Sequence, residues 1–219
     1  MSFFEQLHNE TAAQRASLVN APVIERALHG DVSLPSYLAF LHEAYHHVRH
    51  TVPLLRACRA RLSERPAWLV DALDEYIAEE QGHDEWILTD VAACGADPAA
   101  VRDGTPSPAT ELMVAYAYDT IARRNPVGFL GMVMVLEGTS VALALNAADR
   151  IQQRLGLPAS AFTYLRSHGV LDREHMHHLA TLLDRLENPA DQHAVVYAAN
   201  MFYRLYGDIF RSLPLPSPA

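Results

Sequence analysis

Apolar residues recur at steps of three and four along most of the chain. In the segment 67–94 the stripe runs through Leu69, Leu73 and Tyr76 and resumes at Ile87. This spacing puts the apolar side chains on one face of an α-helix. The alternating apolar and polar runs bounded by turn pairs that are typical of strands do not occur in the sequence. The pattern therefore predicts an all-α protein.

Proline and capping residues mark where the predicted helices begin. Ser107 with Pro108 and Asn188 with Pro189 are examples of a cap followed by proline in the first turn. The predicted helices cover residues 3–19, 34–62, 67–94, 108–123, 126–154, 158–187 and 189–211. We expect a single-domain bundle of about seven helices over residues 1–211, followed by a proline-rich tail over 212–219.

One segment, residues 127–145, is almost wholly apolar and resembles a membrane span in composition. Glu137 lies near its middle, and a lone carboxylate in lipid is costly. We therefore expect no membrane span, and interpret the segment as a helix buried at the centre of a soluble domain.

The net charge and the cysteines argue against some classes of partner and indicate the cellular compartment. The formal net charge is −9, from 17 basic and 26 acidic residues. An acidic surface argues against nucleic acid and anionic membranes as partners, because both require clustered cations. The two cysteines form no CxxC pair, and the N-terminus carries no signal-peptide pattern, so a cytoplasmic protein is expected.

A glutamate and a histidine lie on the buried face predicted for the 67–94 helix. Continuing the apolar stripe places Glu80 and His83 inward and rotates Glu79 towards solvent. An inward Glu and His at positions i and i+3 is the arrangement of helical di-iron and di-manganese proteins. A buried hydrogen bond between the two side chains is the alternative.

The predicted 158–187 helix repeats the pattern more strongly. His168, Asp172 and His175 occupy consecutive inward positions between Leu165 and Leu179. Burying three such groups costs several kcal/mol unless partners or a metal satisfy them. A salt-bridged core cluster is the alternative to a metal site.

Glu137 is the only charged residue between Arg124 and Asp149, and its neighbours are apolar. A buried carboxylate there is either protonated or held by a cation. The three segments together supply oxygen and imidazole donors without thiolate, a set that suits iron or manganese better than structural zinc.

A second cluster, Glu43, His47 and His50, lies off the apolar stripe of the 34–62 helix. We interpret it as a solvated face, from which Glu43 and Tyr45 reach the cavity as supporting or substrate-facing groups. Motifs for a nucleophilic serine, for nucleotide phosphates or for dinucleotides are missing from the sequence.

With these residues identified, the chain resembles the heme-oxygenase-like di-iron oxidases, within the broader family that includes the thiaminase-type TenA proteins. The resemblance extends from YLAFLHEAYHHVRHT to FYRLYGDIF. Its most specific part is an ExxH motif, a lone glutamate and an HxxxDxxH motif, formed by Glu80, His83, Glu137, His168, Asp172 and His175.

The resemblance implies that these six residues bind two ferrous ions, with manganese as an alternative, and that O2 is a co-substrate. It implies catalytic roles for Glu137 and Asp172, with Glu80, His83 and His168 on one ion and Asp172 and His175 on the other. An external electron donor and a homodimer are compatible with such a protein.

The expected substrate is a small, largely apolar or amino-acid-like molecule that carries a carboxylate, held in a pocket of large side chains. The expected lining residues are Tyr45, Phe129, Met132, Met134 and Met201, with Arg49, Arg166 or Arg173 as the carboxylate anchor. The pattern is most similar to members that convert fatty acids to terminal alkenes. The alternatives are a metal-free, TenA-like protein that binds a small ligand, and a TenA-like hydrolase with a reactive thiol.

Overall fold

Five of the described α-helices begin where a side-chain oxygen accepts a hydrogen bond from the first turn. Ser33, Ser107 and Asn188 cap their helices in this way, and each is followed by proline at the first or second helical position. The structure is a computed structural model that describes residues 1–62 and 65–215. The end of the predicted tail, residues 216–219, lies outside this range, whereas Leu213 is buried in the core.

The described residues are helical with no strand, which confirms the all-α class. The α-helices are Phe3–Glu10 (α1), Ala12–Val19 (α2), Pro22–Leu28 (α3), Leu34–Val48 (α4), Thr51–Arg61 (α5), Ala67–Glu79 (α6), His83–Ala93 (α7), Pro98–Arg102 (α8), Pro108–Arg123 (α9), Leu130–Leu155 (α10), Thr163–Asp184 (α11) and Pro189–Ser212 (α12). Short 3-10 helices at Pro126–Phe129 and Ala159–Ala161 precede α10 and α11.

The seven predicted segments are helical, and four of them are interrupted, one of these, 158–187, at Phe162 before α11. The break between α1 and α2 falls at Thr11, that between α4 and α5 at Arg49 and His50, and that between α6 and α7 at 80–82. The short helices α3 and α8 were not predicted, because neither is long enough to show a helical repeat.

Helix α10 is the central element and packs against α11 and α12. Glycine permits the close contact with α12, because a Cβ on Gly131 would lie 2.7 Å from the backbone of Val195 and Ala199. In the described part of the chain one helical stretch, Pro126–Leu155, is long and apolar enough to cross a membrane, but 61% of its most apolar window is buried inside the bundle. The apolar side chains of this helix therefore pack mainly against other helices of the bundle.

Two hydrophobic clusters make up the core. One is centred on α5, α9, α10 and α12, and the other on α4, α7 and the first turn of α11. Side chains from both clusters line one cavity, and the predicted metal ligands lie beside it.

Candidate metal centre

Among the described residues, three buried carboxylates lie outside the predicted metal site, and each has partners that account for its burial. Glu43 accepts hydrogen bonds from the N–H and the Oγ of Ser107, the N-cap residue of α9, the latter at 2.9 Å. Asp90 accepts two backbone N–H groups at the start of α11. Asp191 is paired with Arg65 at 2.7 Å. Buried acids in this protein therefore normally accept hydrogen bonds at the start of a helix or belong to an ion pair.

The other three buried carboxylates, Glu80, Glu137 and Asp172, have no arginine partner within 4.0 Å in the described part of the chain. Their ion-pair partners are imidazoles, and Tyr76 donates a hydrogen bond of 3.5 Å to Glu137. Each is at most 9% exposed. The structure thus brings together the acids that the sequence singled out, without a permanent cation to balance them.

The first group of donors comprises Glu80, His83 and His168. One donor atom from each residue lies within 4.8 Å of the others, a spacing that a single metal ion can bridge. The Nδ1 of His83 is 3.1 Å from Glu80 Oε2, and the ring of Trp86 stacks on His83 at 3.9 Å. The buried Nε2 of His168 has no hydrogen-bond partner.

The second group of donors comprises Glu137, Asp172 and His175. His175 Nδ1 lies 3.6 Å from Glu137 Oε1 and 3.5 Å from Asp172 Oδ1, and this buried nitrogen also lacks a hydrogen-bond partner. Asp172 Oδ1 is in addition 3.4 Å from His168 Nδ1, so the two groups adjoin. The six donors, three carboxylates and three imidazoles, are of the kind that di-iron and di-manganese sites use, and the spacing that a single ion can bridge is met by the first group.

The electrostatics of the second group agree with a site built for cations. Burial raises the pKa of Glu137 well above its ordinary value, and the nearby charges of Asp172 and Glu80 raise it further. Burial also acts to raise the pKa of Asp172, but the imidazoles of His168 and His175 outweigh it and lower that pKa. The adjacent carboxylate of Asp172 raises the pKa of His175, against the opposing effect of burial. A bound cation would relieve this repulsion among carboxylates.

The break between α6 and α7 gives the ExxH motif a geometry that differs from the predicted one. Glu80 is the C-terminal cap of α6 and His83 is the first residue of α7, so the motif crosses a turn instead of following one helical face. Gly82 makes this turn with φ +89°. Both side chains are nevertheless buried, as predicted.

A cavity of about 170 Å³ opens beside the donor residues. It is lined by Glu80, Glu137, His168 and Asp172 and by mostly apolar side chains of α3, α4, α10 and α12. Phe129 and Met132 are among the lining residues, as predicted. The described lining includes no arginine, and the chain contains no lysine.

Four residues predicted to line or support the cavity lie elsewhere. Glu43 is hydrogen-bonded to Ser107 at the start of α9, Tyr45 packs in the second cluster under Arg49, and Met134 is buried in the first cluster. Met201 is half-buried on α12 and is not among the described lining residues. The sequence placed these four residues on the correct helices, but it did not predict the direction in which each side chain points.

The predicted carboxylate anchors are also absent from the described cavity lining. Arg49 lies over the ring of Tyr45, Arg166 pairs with Asp149 at 2.7 Å, and Arg173 is exposed.

The prediction of a solvated histidine face on α4 was wrong. His46 and His47 are 5% and 3% exposed, and Glu43 is 8% exposed. His47 lines the cavity, and its buried Nδ1 has no hydrogen-bond partner. The sequence analysis did not predict that His47 lines the cavity, because this residue lies off the apolar stripe. The concentration of histidines in YHHVRH was the only signal of a buried position.

Neither thiol lies in the described cavity lining. Burial raises the pKa of Cys58 to about 12 and that of Cys94 to about 11, so both remain protonated at neutral pH. Such thiols are poor nucleophiles.

Residues 38–207 match the model of a protein family described as iron-containing redox enzymes. The match covers well over half of the chain. The protein belongs to the iron-containing redox enzyme family. A search of curated proteins finds no match to this family member.

Solved structures show the same fold as this redox-enzyme family member. A domain of unknown function with a heme oxygenase-like fold from Shewanella denitrificans has a TM-score of 0.86 and 25% identity, covering 94% of this chain and 89% of that one. A TenA homologue from Pseudomonas syringae has a TM-score of 0.77 and 13% identity, covering 94% and 90%. Heme oxygenase-1 from Synechocystis, in complex with heme, has a TM-score of 0.74 and 13% identity, covering 96% and 91%. The predicted heme oxygenase/TenA-like fold is thus confirmed.

Proposed function

We propose that this iron-containing redox enzyme is a non-haem di-iron oxidase or oxygenase, which uses O2 to oxidise a small and largely apolar substrate. The observation that carries the proposal is the pair of adjoining donor groups, Glu80, His83 and His168 beside Glu137, Asp172 and His175. The six donors are oxygen and imidazole nitrogen, which suit iron, with manganese as the alternative ion.

The two buried nitrogens that lack partners support metal binding over a purely structural network. A hydrogen-bonded core cluster would satisfy its own polar atoms, because an unpaired buried group costs about 1–3 kcal/mol. His168 Nε2 and His175 Nδ1 are two of the seven buried side-chain atoms without a partner among the described residues, and one lies in each donor group. Each donor group therefore contains an imidazole nitrogen that is not engaged in a hydrogen bond and could bind a metal ion.

Two ferrous ions at such a centre would supply the electrons that activate O2, and an external donor would restore the reduced state. Glu137 lies near Glu80 of one group and Asp172 of the other, whose charges both act on it, and it would help to hold the ions. Tyr76 donates to Glu137 Oε2 and so helps to hold the orientation of that carboxylate.

The cavity indicates the character of the substrate. Its walls are mostly apolar, which favours an apolar ligand over water along most of its surface. Because no arginine or lysine lies in the described lining, a substrate carboxylate would be held by the metal centre and by neutral donors. We therefore propose a substrate with an apolar body and one polar end, fatty or amino-acid-derived.

The alternatives fit this site less well. Heme would have to share the cavity with Glu137 and Asp172, both of which are buried and face it. A TenA-like hydrolase needs an ionisable thiol beside the ligand, whereas Cys58 and Cys94 are protonated and lie outside the described lining.

The test is iron content after anaerobic reconstitution with ferrous iron, followed by the absorption spectrum on admission of O2. We expect two irons per chain and a transient visible band. His168→Ala and Asp172→Ala should each abolish loading at one or both sites while helical content stays unchanged. His178→Ala, on the exposed face of α11, is the matched control and should load normally. Full iron loading in the Asp172 variant would refute the assignment.

A further inference from the structure

The second donor group has an additional carboxylate on the far side of its histidine. Glu79 Oε2 lies 3.2 Å from His175 Nε2. The other ring nitrogen, Nδ1, faces Glu137 and Asp172. The Glu79 side chain is 52% exposed, whereas His175 is 8% exposed, so Glu79 stands at the solvent edge of the centre.

The end of α6 explains how two consecutive glutamates reach different histidines. Successive residues of an α-helix point about 100° apart, so both cannot follow one face. Glu79 is the last residue of α6, and the chain turns at Glu80 and Gly82. Glu80 thereby contacts His83 in the first donor group, and Glu79 contacts His175 in the second.

We propose that Glu79 is a positioning residue of the second metal site: its carboxylate accepts the Nε2–H of His175 and leaves Nδ1 free to bind the ion between Glu137 and Asp172. The inference rests on the proposed di-iron function. Carboxylates that hold a metal-binding histidine fix its tautomer and ring orientation, and their loss typically weakens metal binding about 10–100-fold. The sequence pattern assigned Glu79 to solvent, so this role was not anticipated.

The test compares Glu79→Ala, Glu79→Gln and Glu75→Ala in the full-length protein. Glu75 is an exposed glutamate one turn earlier on α6, which makes it a matched control for the loss of a surface charge. Each protein is equilibrated by anaerobic dialysis against graded ferrous iron, and iron per chain is measured. Cobalt(II) is titrated in parallel, because its visible bands report the ligands of each ion separately.

We expect Glu79→Ala to raise the Kd of the second ion about 10–100-fold and to leave the first unchanged. It should also alter the cobalt bands of the second ion alone. Glu79→Gln keeps an oxygen that accepts the Nε2–H, so it should restore most of the affinity, and Glu75→Ala should behave as wild type.

Second-ion binding by Glu79→Ala as tight as in wild type would overturn the role of Glu79 while leaving the di-iron function intact. Equal weakening in the Gln and Ala variants would also overturn it, since positioning requires only an acceptor. Wild-type protein that binds no ion would overturn the proposed function itself, and the role of Glu79 with it.

Discussion

His47 lies on α4 at the cavity wall, where its ring packs edge-on against Tyr206 at a centroid distance of 5.6 Å. Burial lowers the pKa of His47 to about 3, and the nearby rings of His168, His50 and His46 contribute to the shift. The imidazole is therefore neutral at physiological pH and offers the cavity one donor and one acceptor. A neutral imidazole can exchange hydrogen bonds with the polar end of a substrate in a cavity whose described lining contains no arginine.

The buried neutral histidine makes stability depend on pH. Unfolded His47 takes up a proton near pH 6.5, whereas the folded side chain stays neutral down to about pH 3. The neutral His47 side chain therefore leaves the free energy of unfolding undiminished above pH 6.5. As pH falls from 6.5 towards 3, protonation of the unfolded chain lowers that free energy by up to about 1.4 kcal/mol per pH unit. We expect His47→Phe to flatten this slope in metal-free protein. Denaturant unfolding at steps between pH 4 and 7 measures it.

His178→Phe, on the exposed face of α11, is the control and should leave the slope unchanged. Some slope should remain in the His47 variant, because burial also lowers the pKa of His46 and His50. A slope identical to that of wild type would contradict the assignment to His47.

The contrast between His175 and His47 shows which residues a sequence can predict. His175 continues a leucine stripe on α11, so its burial follows from helical periodicity. His47 lies off the apolar stripe of α4 and is buried because it faces the cavity and packs against Tyr206 of α12. Periodicity identifies the apolar face of a helix, but a second buried face built of polar residues has no such signal.

At the scale of the helices, the turn between α6 and α7 is what places the ExxH motif. Gly82 has φ +89°, a conformation that costs residues with a Cβ about 1–2 kcal/mol. A Cβ at Gly82 would meet no atom within 4 Å, so the backbone alone would oppose substitution. The sequence EEQGHDEW contains this glycine, yet the apolar stripe continues across it, which explains why an unbroken helix was predicted.

Gly82→Ala should therefore lower the free energy of unfolding by about 1–2 kcal/mol and weaken iron binding at Glu80 and His83. Relief of the strained φ would move these two ligands relative to each other. Gly30→Ala is a close control, since Gly30 has φ +76°, an equally open Cβ position and no place in the donor groups. It should show a similar loss of stability with normal iron binding. Equal iron affinities in the two variants would contradict the role of the turn.

The fold class followed from the sequence more readily than the helix boundaries did. Caps such as Ser107 and Asn188 act within four residues, and their effect does not depend on the rest of the protein. The break at Arg49 and His50 is followed by Pro53, whose ring would clash with the carbonyl of Arg49 in an unbroken helix. The apolar stripe runs through this break, which is why an unbroken helix was predicted over 34–62.

Across the whole molecule, the cavity follows α10, and this helix runs from the donor groups along the apolar wall of the cavity. Its lining residues on α10 extend from Met132 to Ile151, about 29 Å of helix, with Glu137 towards one end. Apolar side chains of α3 and α12 complete the wall. An elongated apolar space that contacts the donor groups favours a ligand whose chain lies along α10.

Ala147 tests this geometry, because it lines the cavity ten residues, or about 15 Å of helix, beyond Glu137. For iron-reconstituted protein held without O2, we expect the affinity for n-alkanoic acids to rise about fourfold per added methylene until the cavity is filled, since each buried CH2 is worth about 0.8 kcal/mol. Ala147→Phe should end this rise at a shorter chain and leave iron loading unchanged. Calorimetric titration with acids of increasing length measures the break point.

Ala142→Phe places the same bulk on the exposed face of α10 and should keep the wild-type chain-length profile. If both phenylalanine variants keep that profile, the ligand does not extend along α10 past Ala147, and the substrate must lie within the space beside Glu137. If Ala147→Phe instead abolishes binding of every acid, the polar end and not the chain is being displaced. If the proposed function is right, the rise in affinity should end at a shorter chain while iron loading stays unchanged. The donor groups would then bind one end of the substrate, and the length of the cavity along α10 would limit the other.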